Sequence, residues 1–253
     1  MKNSFVLFGK TIPLYGVCFY VGIVLAVLFG FLLAKRKKVE MFDFVCCVVY
    51  MMIGAMVGAK LLFVLVSIRE IIQLKLSIIE VIKGGFVFYG GLLGGALGVW
   101  IYAKQFCAPV RGYADIFATV LPLGHAFGRV GCFFAGCCYG MEYDGCGAVI
   151  YETSSNFFTP LGVPLLPIQL IEAACLAILF VVLIIIFLKA KPKKGKIAVL
   201  YLFSYALLRF VLEFFRGDKE RGVFLFSTSQ YISIAIALIA GALLWRKQDK
   251  KIE

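Results

Sequence analysis

The sequence predicts an all-α, polytopic membrane protein with seven transmembrane helices, its N-terminus outside and its C-terminus in the cytoplasm. Three observations carry that expectation. Apolar side chains make up 62% of the 253 residues and charged ones only 16%, against roughly 45–50% and about 25% in soluble domains. Apolar runs of span length recur along the whole chain. The basic residues gather between those runs. The same composition, with a mean hydropathy of +0.99, excludes a disordered chain, a collagen and a coiled coil. The net charge of +12, from 26 Lys and Arg against 14 Asp and Glu, would suggest nucleic acid in a soluble protein. Here the positive-inside rule accounts for it, and the expected partner is the lipid bilayer, with no nucleic acid.

The first span is expected at about 13–34, ending at Lys35-Arg36-Lys37-Lys38. It has span length and no small-residue cleavage site ahead of a soluble body, so it is not read as a cleavable signal peptide. The second runs about 42–66, followed by a mixed-charge stretch, 67–83, with room for a short interfacial helix. The third, about 86–103, is dense in glycine. The fourth, about 112–134, is the least apolar and holds Asp115, Pro122, His125 and Arg129. A polar segment, 135–166, separates it from the fifth at about 167–189. The sixth covers about 196–215 and the seventh about 224–245. No second domain and no internal repeat is visible, so residues 1–253 read as one transmembrane domain.

Loop charges set the orientation. The 1–2 loop opens with four basic residues, and the 3–4 loop carries Lys104 and Arg111. The 5–6 loop carries Lys189, Lys191, Lys193, Lys194 and Lys196, and the tail carries Arg246, Lys247, Lys250 and Lys251. The alternate segment 135–166 has Glu142, Asp144 and Glu152 and no Lys or Arg. The basic loops therefore face the cytoplasm, and the segment 135–166 faces outward.

Charges at membrane depth are costly and tend to be functional. The candidates are Lys60, Asp115, His125, Arg129, Glu172, Arg209, Glu213 and Arg216. Arg209, Glu213 and Arg216 fall at i, i+4 and i+7, one face of a helix. Arg209 and Glu213 can pair, leaving Arg216 at the outer end for another anion; a structural ion pair with a snorkelling arginine is the plainer alternative. His125, the only histidine, and Arg129 are also i, i+4 and can face one cavity.

The densest signal is Gly128-Arg129-Val130-Gly131-Cys132-Phe133-Phe134-Ala135-Gly136-Cys137-Cys138-Tyr139-Gly140. Its glycines permit irregular backbone, which at membrane depth must line protein or water. An arginine beside such a turn suits a lipid phosphate, through its rigid fork of donors. Cys18, Cys46, Cys47 and Cys175 lie in apolar runs and read as small hydrophobes. The cluster Cys132, Cys137 and Cys138 leaves three chemistries open: a metal, a disulfide (Cys146 being a possible partner on the oxidising side) or a nucleophile. The spacing Cys132-x4-Cys137-Cys138 matches poorly with the paired spacing of zinc sites, so no metal ligand is expected. Gly84 through Gly95 opens the third span. Its small residues suit close helix packing, while Tyr89, set between two glycine pairs, suits a lipid head group or the aromatic belt.

These residues resemble the prolipoprotein diacylglyceryl transferase family, in order and nearly end to end. Tyr15-Gly16 resembles the family's Tyr-Gly, and Gly58-Ala59-Lys60-Leu61 its Gly-x-Arg-Leu, with lysine for arginine. Gly84 through Gly91 resembles Gly-Gly-x-x-x-His-Gly-Gly, and Gly128-Arg129-Val130-Gly131-Cys132-Phe133 the signature Gly-Arg-x-Gly-Asn-Phe. Pro167 through Glu172 resembles Pro-x-Gln-Leu-Tyr-Glu. Arg209-Phe210 and Glu213-Phe214-Phe215-Arg216 resemble Arg-Phe followed by Glu-Phe-x-Arg.

The resemblance implies a multi-pass enzyme of the bacterial cytoplasmic membrane with no cofactor. Its substrates would be phosphatidylglycerol and the lipobox cysteine of a prolipoprotein signal peptide. The diacylglyceryl group would move to that thiol, releasing glycerol phosphate. Arg129 and Arg216 would hold the lipid phosphate and stabilise the charge that grows on it. Tyr15, Cys132, Gly140 and Glu213 would complete the lipid site, with Glu213 orienting Arg216 or Arg209.

The departures sharpen the expectation. Tyr89 stands where the family has histidine, Cys132 where it has the signature asparagine, and Ala135-Gly136-Cys137 where it has Asn-Gly-Glu. Tyrosine, ordinarily near pKa 10, is a poor base at neutral pH. The expected catalytic set is therefore His125, Arg129, Tyr89 and Arg216, with His125 activating the acceptor thiol and Tyr89 hydrogen-bonding the head group. Two other readings remain at this stage: a related phospholipid-dependent transferase with another acceptor, using a cysteine as covalent relay, and a membrane thiol oxidoreductase built on Cys137 and Cys138.

Overall fold

The computed structural model describes the chain except residues 1–3, 8–9, 74–76, 86, 109, 155–158, 191, 218–221, 224 and 250–253. Nine α-helices are formed among the described residues: α1 Leu14–Arg36, α2 Met41–Val66, α3 Ile68–Gln73, α4 Ile78–Lys83, α5 Phe88–Gln105, α6 Val110–Ala135, α7 Ile168–Ile185, α8 Lys196–Leu212 and α9 Thr228–Asp249. Six of them, α1, α2, α6, α7, α8 and α9, are long and apolar enough to cross a membrane. The expected third span is the helix α5, of 18 residues, and it is not one of those six. The stretch after α2 holds two short helices where one was expected.

Three small antiparallel hairpins among the described residues qualify the all-α expectation. They pair β1 Ser4–Leu7 with β2 Lys10–Pro13, β3 Val149–Ile150 with β4 Pro164–Leu165, and β5 Gly222–Val223 with β6 Phe226–Ser227. Strands of two to four residues give too little alternation to be read from sequence.

The chain divides into two compact units, residues 31–113 and residues 1–30 with 114–253. In the first, α2 and α5 meet along glycines. A Cβ at Gly94 would fall against the Gly54 carbonyl, and one at Gly90 against the Gly58 carbonyl. This is the small-residue seam that lets membrane helices approach closely where hydrophobic burial supplies no drive. Gly95, expected to share the seam, lies beside it, where a Cβ would meet Ala55 at an ordinary 3.5 Å. Lys60 donates from Nζ to the carbonyls of Gly84 and Gly85, at 3.0 and 3.2 Å. Its charge thus ties α2 to the turn that opens α5. Tyr102 donates to Asp43 at 3.0 Å. Helix α4 starts in a capping box, with Ser77 and Glu80 each bonding the other's backbone N–H.

In the second unit α1 crosses α6 at small residues, where a Cβ on Gly22 would stand 2.7 Å from that of Phe127. Phe29 meets Phe180 edge to face at 5.3 Å. Asp115 is buried and accepts from the backbone N–H groups of Gly195 and Ala198, at 2.6 and 2.9 Å. It caps the N-terminus of α8 from another helix, where the helix dipole favours a carboxylate. Helix α7 continues as a π-helical turn, Ile186–Ala190, and α8 ends in a 3-10 turn, Glu213–Phe215. Large apolar side chains such as Leu238 and Ile178 point outward at 69% and 65% exposure. That arrangement suits a lipid surround.

Candidate functional site

Five ionisable side chains from three helices meet inside the second unit. Helix α6 supplies His125 and Arg129, α7 supplies Glu172, α8 supplies Arg209, and its terminal turn supplies Glu213. Glu172 is the hub. One carboxylate oxygen lies 3.1 Å from Arg129 Nε and 3.8 Å from Arg209 Nη1, and the other lies 4.0 Å from His125 Nε2. Arg209 turns its second nitrogen to Glu213, four residues on. The Glu172 side chain is 3% exposed. A carboxylate this buried needs compensation, and two arginines provide it. Two arginines and two glutamates leave the set neutral. Tyr205 of α8 meets His125 edge to face at 5.2 Å and lies within electrostatic reach of Arg129.

The geometry follows from helical spacing. Positions 125 and 129 lie one turn apart on α6, as do 209 and 213 across the end of α8. The expected pairing of Arg209 with Glu213 is therefore present. The expected continuation of that face to Arg216 is corrected. The α-helix stops at Leu212, and Arg216 has extended backbone, φ −80° and ψ 143°. Glu213 accordingly orients Arg209, leaving Arg216 to a different neighbourhood.

That neighbourhood is the end of α6. The helix closes in a Schellman arrangement around Gly136 at φ +74°. Cys137 N–H returns to the Cys132 carbonyl and Gly136 N–H to that of Phe133, both at 3.2 Å. Ser154 and Thr159 donate to the carbonyls of Ala135 and Gly136, at 3.1 and 2.8 Å. Gln169 of α7 donates to the Cys137 carbonyl at 2.8 Å. Cys138 then takes φ +57°, unusual for a residue with a Cβ and costing about 1–3 kcal/mol where the surroundings impose it. The turn brings the sulfurs of Cys132, Cys137 and Cys138 within 4.8 Å of one another. Hydrogen bonds from the other two thiols, aided by the charges of Arg216 and Arg129, hold the Cys138 thiol well below the ordinary thiol range.

Beyond the turn, Gly140 forms an antiparallel bridge with Arg216. Gly140 N–H donates to Leu166 at 3.2 Å, Met141 N–H to Phe215 at 2.9 Å, and Gly217 N–H to Tyr139 at 3.1 Å. A Cβ on Gly140 would run into the Leu166 carbonyl, so close backbone approach explains the glycine. Tyr15 packs against Gly131, two residues after Arg129 on α6. Its hydroxyl is in electrostatic reach of Arg129 and the three cysteines.

Of the residues singled out from sequence, His125, Arg129 and Glu213 belong to the charged network. Tyr15, Cys132, Gly140 and Arg216 gather around the end of α6. Tyr89 lies in the first turn of α5, and its side chain is outside the described residues. All nine cysteines are free, and Cys146 is exposed, so the disulfide considered for Cys146 is not formed. Glu172, the hub, is among the intramembrane charges that the sequence shows but not among the expected site residues. Two basic residues within one turn of each other on α6 demand an acid from elsewhere, and that demand was the available signal. Gln169 and Glu172 also stand in the family-like stretch Pro167 through Glu172, whereas Tyr205 carried no signal.

A family model described as prolipoprotein diacylglyceryl transferase matches residues 3–246. The phosphatidylglycerol–prolipoprotein diacylglyceryl transferase of Clostridium tetani is 35% identical over 239 residues, covering 93% of both chains. Phosphatidylglycerol–prolipoprotein diacylglyceryl transferase 2 of Clostridium perfringens is 34% identical, covering 94% of this chain and 92% of its own. The Finegoldia magna protein of the first name is 28% identical over 251 residues, 99% of this chain and 97% of its own.

Proposed function

Because the chain belongs to the prolipoprotein diacylglyceryl transferase family, we propose that it moves the diacylglyceryl group of phosphatidylglycerol to the lipobox cysteine of a prolipoprotein signal peptide. The acceptor sulfur attacks the glyceryl carbon bound to phosphate. The carbon–oxygen bond breaks, a thioether forms, and glycerol phosphate leaves with the electron pair. The thiol proton passes to a base. The phosphate gains one negative charge as it leaves, so cations placed there stabilise the transition state more than the ground state. The observation that carries this reading is the buried network in which Glu172 holds Arg129 in place in the last two turns of α6.

In this reading Arg129 and Arg216 take the phosphate, Tyr15 and Cys132 line the lipid beside them, and Gly140 shapes the backbone under Arg216. Glu213 positions Arg209, and through Glu172 the same chain reaches Arg129. His125 is the base for the acceptor thiol, and Tyr89 bonds the head group. The names of the relatives favour this transferase over a thiol oxidoreductase. The enzyme sits in the bacterial cytoplasmic membrane with α5 as the third of seven spans: 18 residues rise about 27 Å, close to the hydrocarbon thickness. The loop charges support an outward N-terminus and a cytoplasmic C-terminus.

Mass spectrometry of a lipobox peptide, incubated with the purified protein and phosphatidylglycerol, tests the proposal. A peptide heavier by one diacylglyceryl group, with glycerol phosphate released, supports it. Lipid consumed with the peptide unmodified points to another acceptor. Neither change, in folded protein, overturns it.

A further inference from the structure

Cys137 and Cys138 have no part in the transfer chemistry, and the arrangement they make with Cys132, which lines the lipid in that reading, is unusual. Along extended chain, neighbouring side chains point to opposite sides. Here left-handed backbone at Gly136 and Cys138, φ +74° and +57°, flanks Cys137 and turns both vicinal thiols toward Cys132. The spacing that argued against a metal site describes a regular backbone, which this segment does not have. The frame is also tied down. Gln169 holds the Cys137 carbonyl, Thr159 that of Gly136 and Ser154 that of Ala135, the kind of support that fixes metal ligands in place.

We propose that Cys132, Cys137 and Cys138 form a three-thiolate site for a thiophilic d10 cation of the zinc or copper(I) class. All three sulfurs lie within 4.8 Å of one another. A three-coordinate centre with metal–sulfur bonds near 2.3 Å needs sulfurs about 4.0 Å apart, so closure takes less than an ångström of side-chain movement. The donor set is entirely soft sulfur, with no imidazole or carboxylate in the group. It selects thiophilic ions over magnesium, calcium or manganese. Binding a divalent ion to three thiols releases up to three protons and leaves a complex of charge −1. Arg129 and Arg216, whose charges already act on Cys138, oppose that charge. Copper(I) fills the site with three sulfurs alone, whereas zinc adds a water.

The test is metal uptake by the full-length protein in detergent, under a phosphine reductant and without oxygen, after chelator treatment. Cadmium is titrated and followed by its thiolate charge-transfer absorption. Zinc and copper(I) are loaded in separate arms for X-ray absorption. The expected result is one equivalent bound, three sulfur ligands at the metal, and at least tenfold weaker binding in each of Cys132→Ser, Cys137→Ser and Cys138→Ser. Cys107→Ser and Cys146→Ser should bind as the parent does. No saturable binding, or undiminished binding in the three variants, overturns the site. Fewer than three sulfurs at the metal in the unmutated protein does the same, without depending on how any variant folds. Metal uptake is read from coordination, so it stands or falls separately from the transferase reading.

Discussion

Arg129 Nε lies 3.1 Å from a Glu172 oxygen, a pair that joins α6 to α7 in the protein interior. The same oxygen is shared with Arg209, so one carboxylate sets the position of two guanidinium groups. Replacing Glu172 by Gln keeps the shape and removes the charge. The expected outcome is a loss of about 3–5 kcal/mol, the usual cost of leaving buried charges without their partner. Thermal unfolding in detergent measures it. Transfer should fall with it, because Arg129 loses its anchor; an enzyme of normal stability and rate would show that Glu172 positions nothing.

His125 stands one turn before Arg129 and 4.0 Å from Glu172. If it takes the acceptor proton, His125→Ala should lower the rate of peptide modification by about 10²–10⁴-fold, the usual range for a lost general base. Tyr89→Phe should cost less, since it removes one hydrogen bond. Single-turnover assays of both variants check the order, and an active His125→Ala enzyme would sink the assignment.

Gly94 and Gly95 are neighbours in sequence with different surroundings. A methyl group on Gly94 meets the Gly54 carbonyl, whereas one on Gly95 meets Ala55 at 3.5 Å. Gly94→Ala should destabilise the α2–α5 pair by about 1–3 kcal/mol, as overpacking does, while Gly95→Ala should be close to neutral. Unfolding of the two variants side by side gives the comparison.

Asp115 accepts from the N–H groups of Gly195 and Ala198. Asp115→Ala leaves both donors without that partner and should cost about 1–2 kcal/mol, as lost helix caps do. Hydrogen exchange at Ala198 should accelerate, with little change at α9.

Cys137 and Cys138 are not nucleophiles in the proposed transfer, because the attacking thiol belongs to the acceptor. The double variant Cys137→Ser with Cys138→Ser should therefore keep most of its transfer activity. Loss of several orders of magnitude, as removal of a covalent nucleophile produces, would favour a relay through these thiols.

The expected spans lie close to helices that form: 112–134 within α6, Val110–Ala135, and 42–66 within α2, Met41–Val66. These were legible because bilayer thickness and helical rise require long apolar runs, and such runs are a local property. The pairing of Arg209 with Glu213 was legible for the same reason, since four residues make one turn. The partner of Arg129 was not. It comes from Glu172, 43 positions away, and a spacing rule has no reach across separate helices. The end of α8 at Leu212 moved Arg216 off the expected face and beside Gly140. Two left-handed residues brought together three thiols whose spacing had argued against it. The sequence alone determined where the long apolar helices lie and which side chains would be costly within them. Only the tertiary structure decided how those charges neutralise one another, because compensation at low dielectric depends on distance in space, whichever helix supplies the partner.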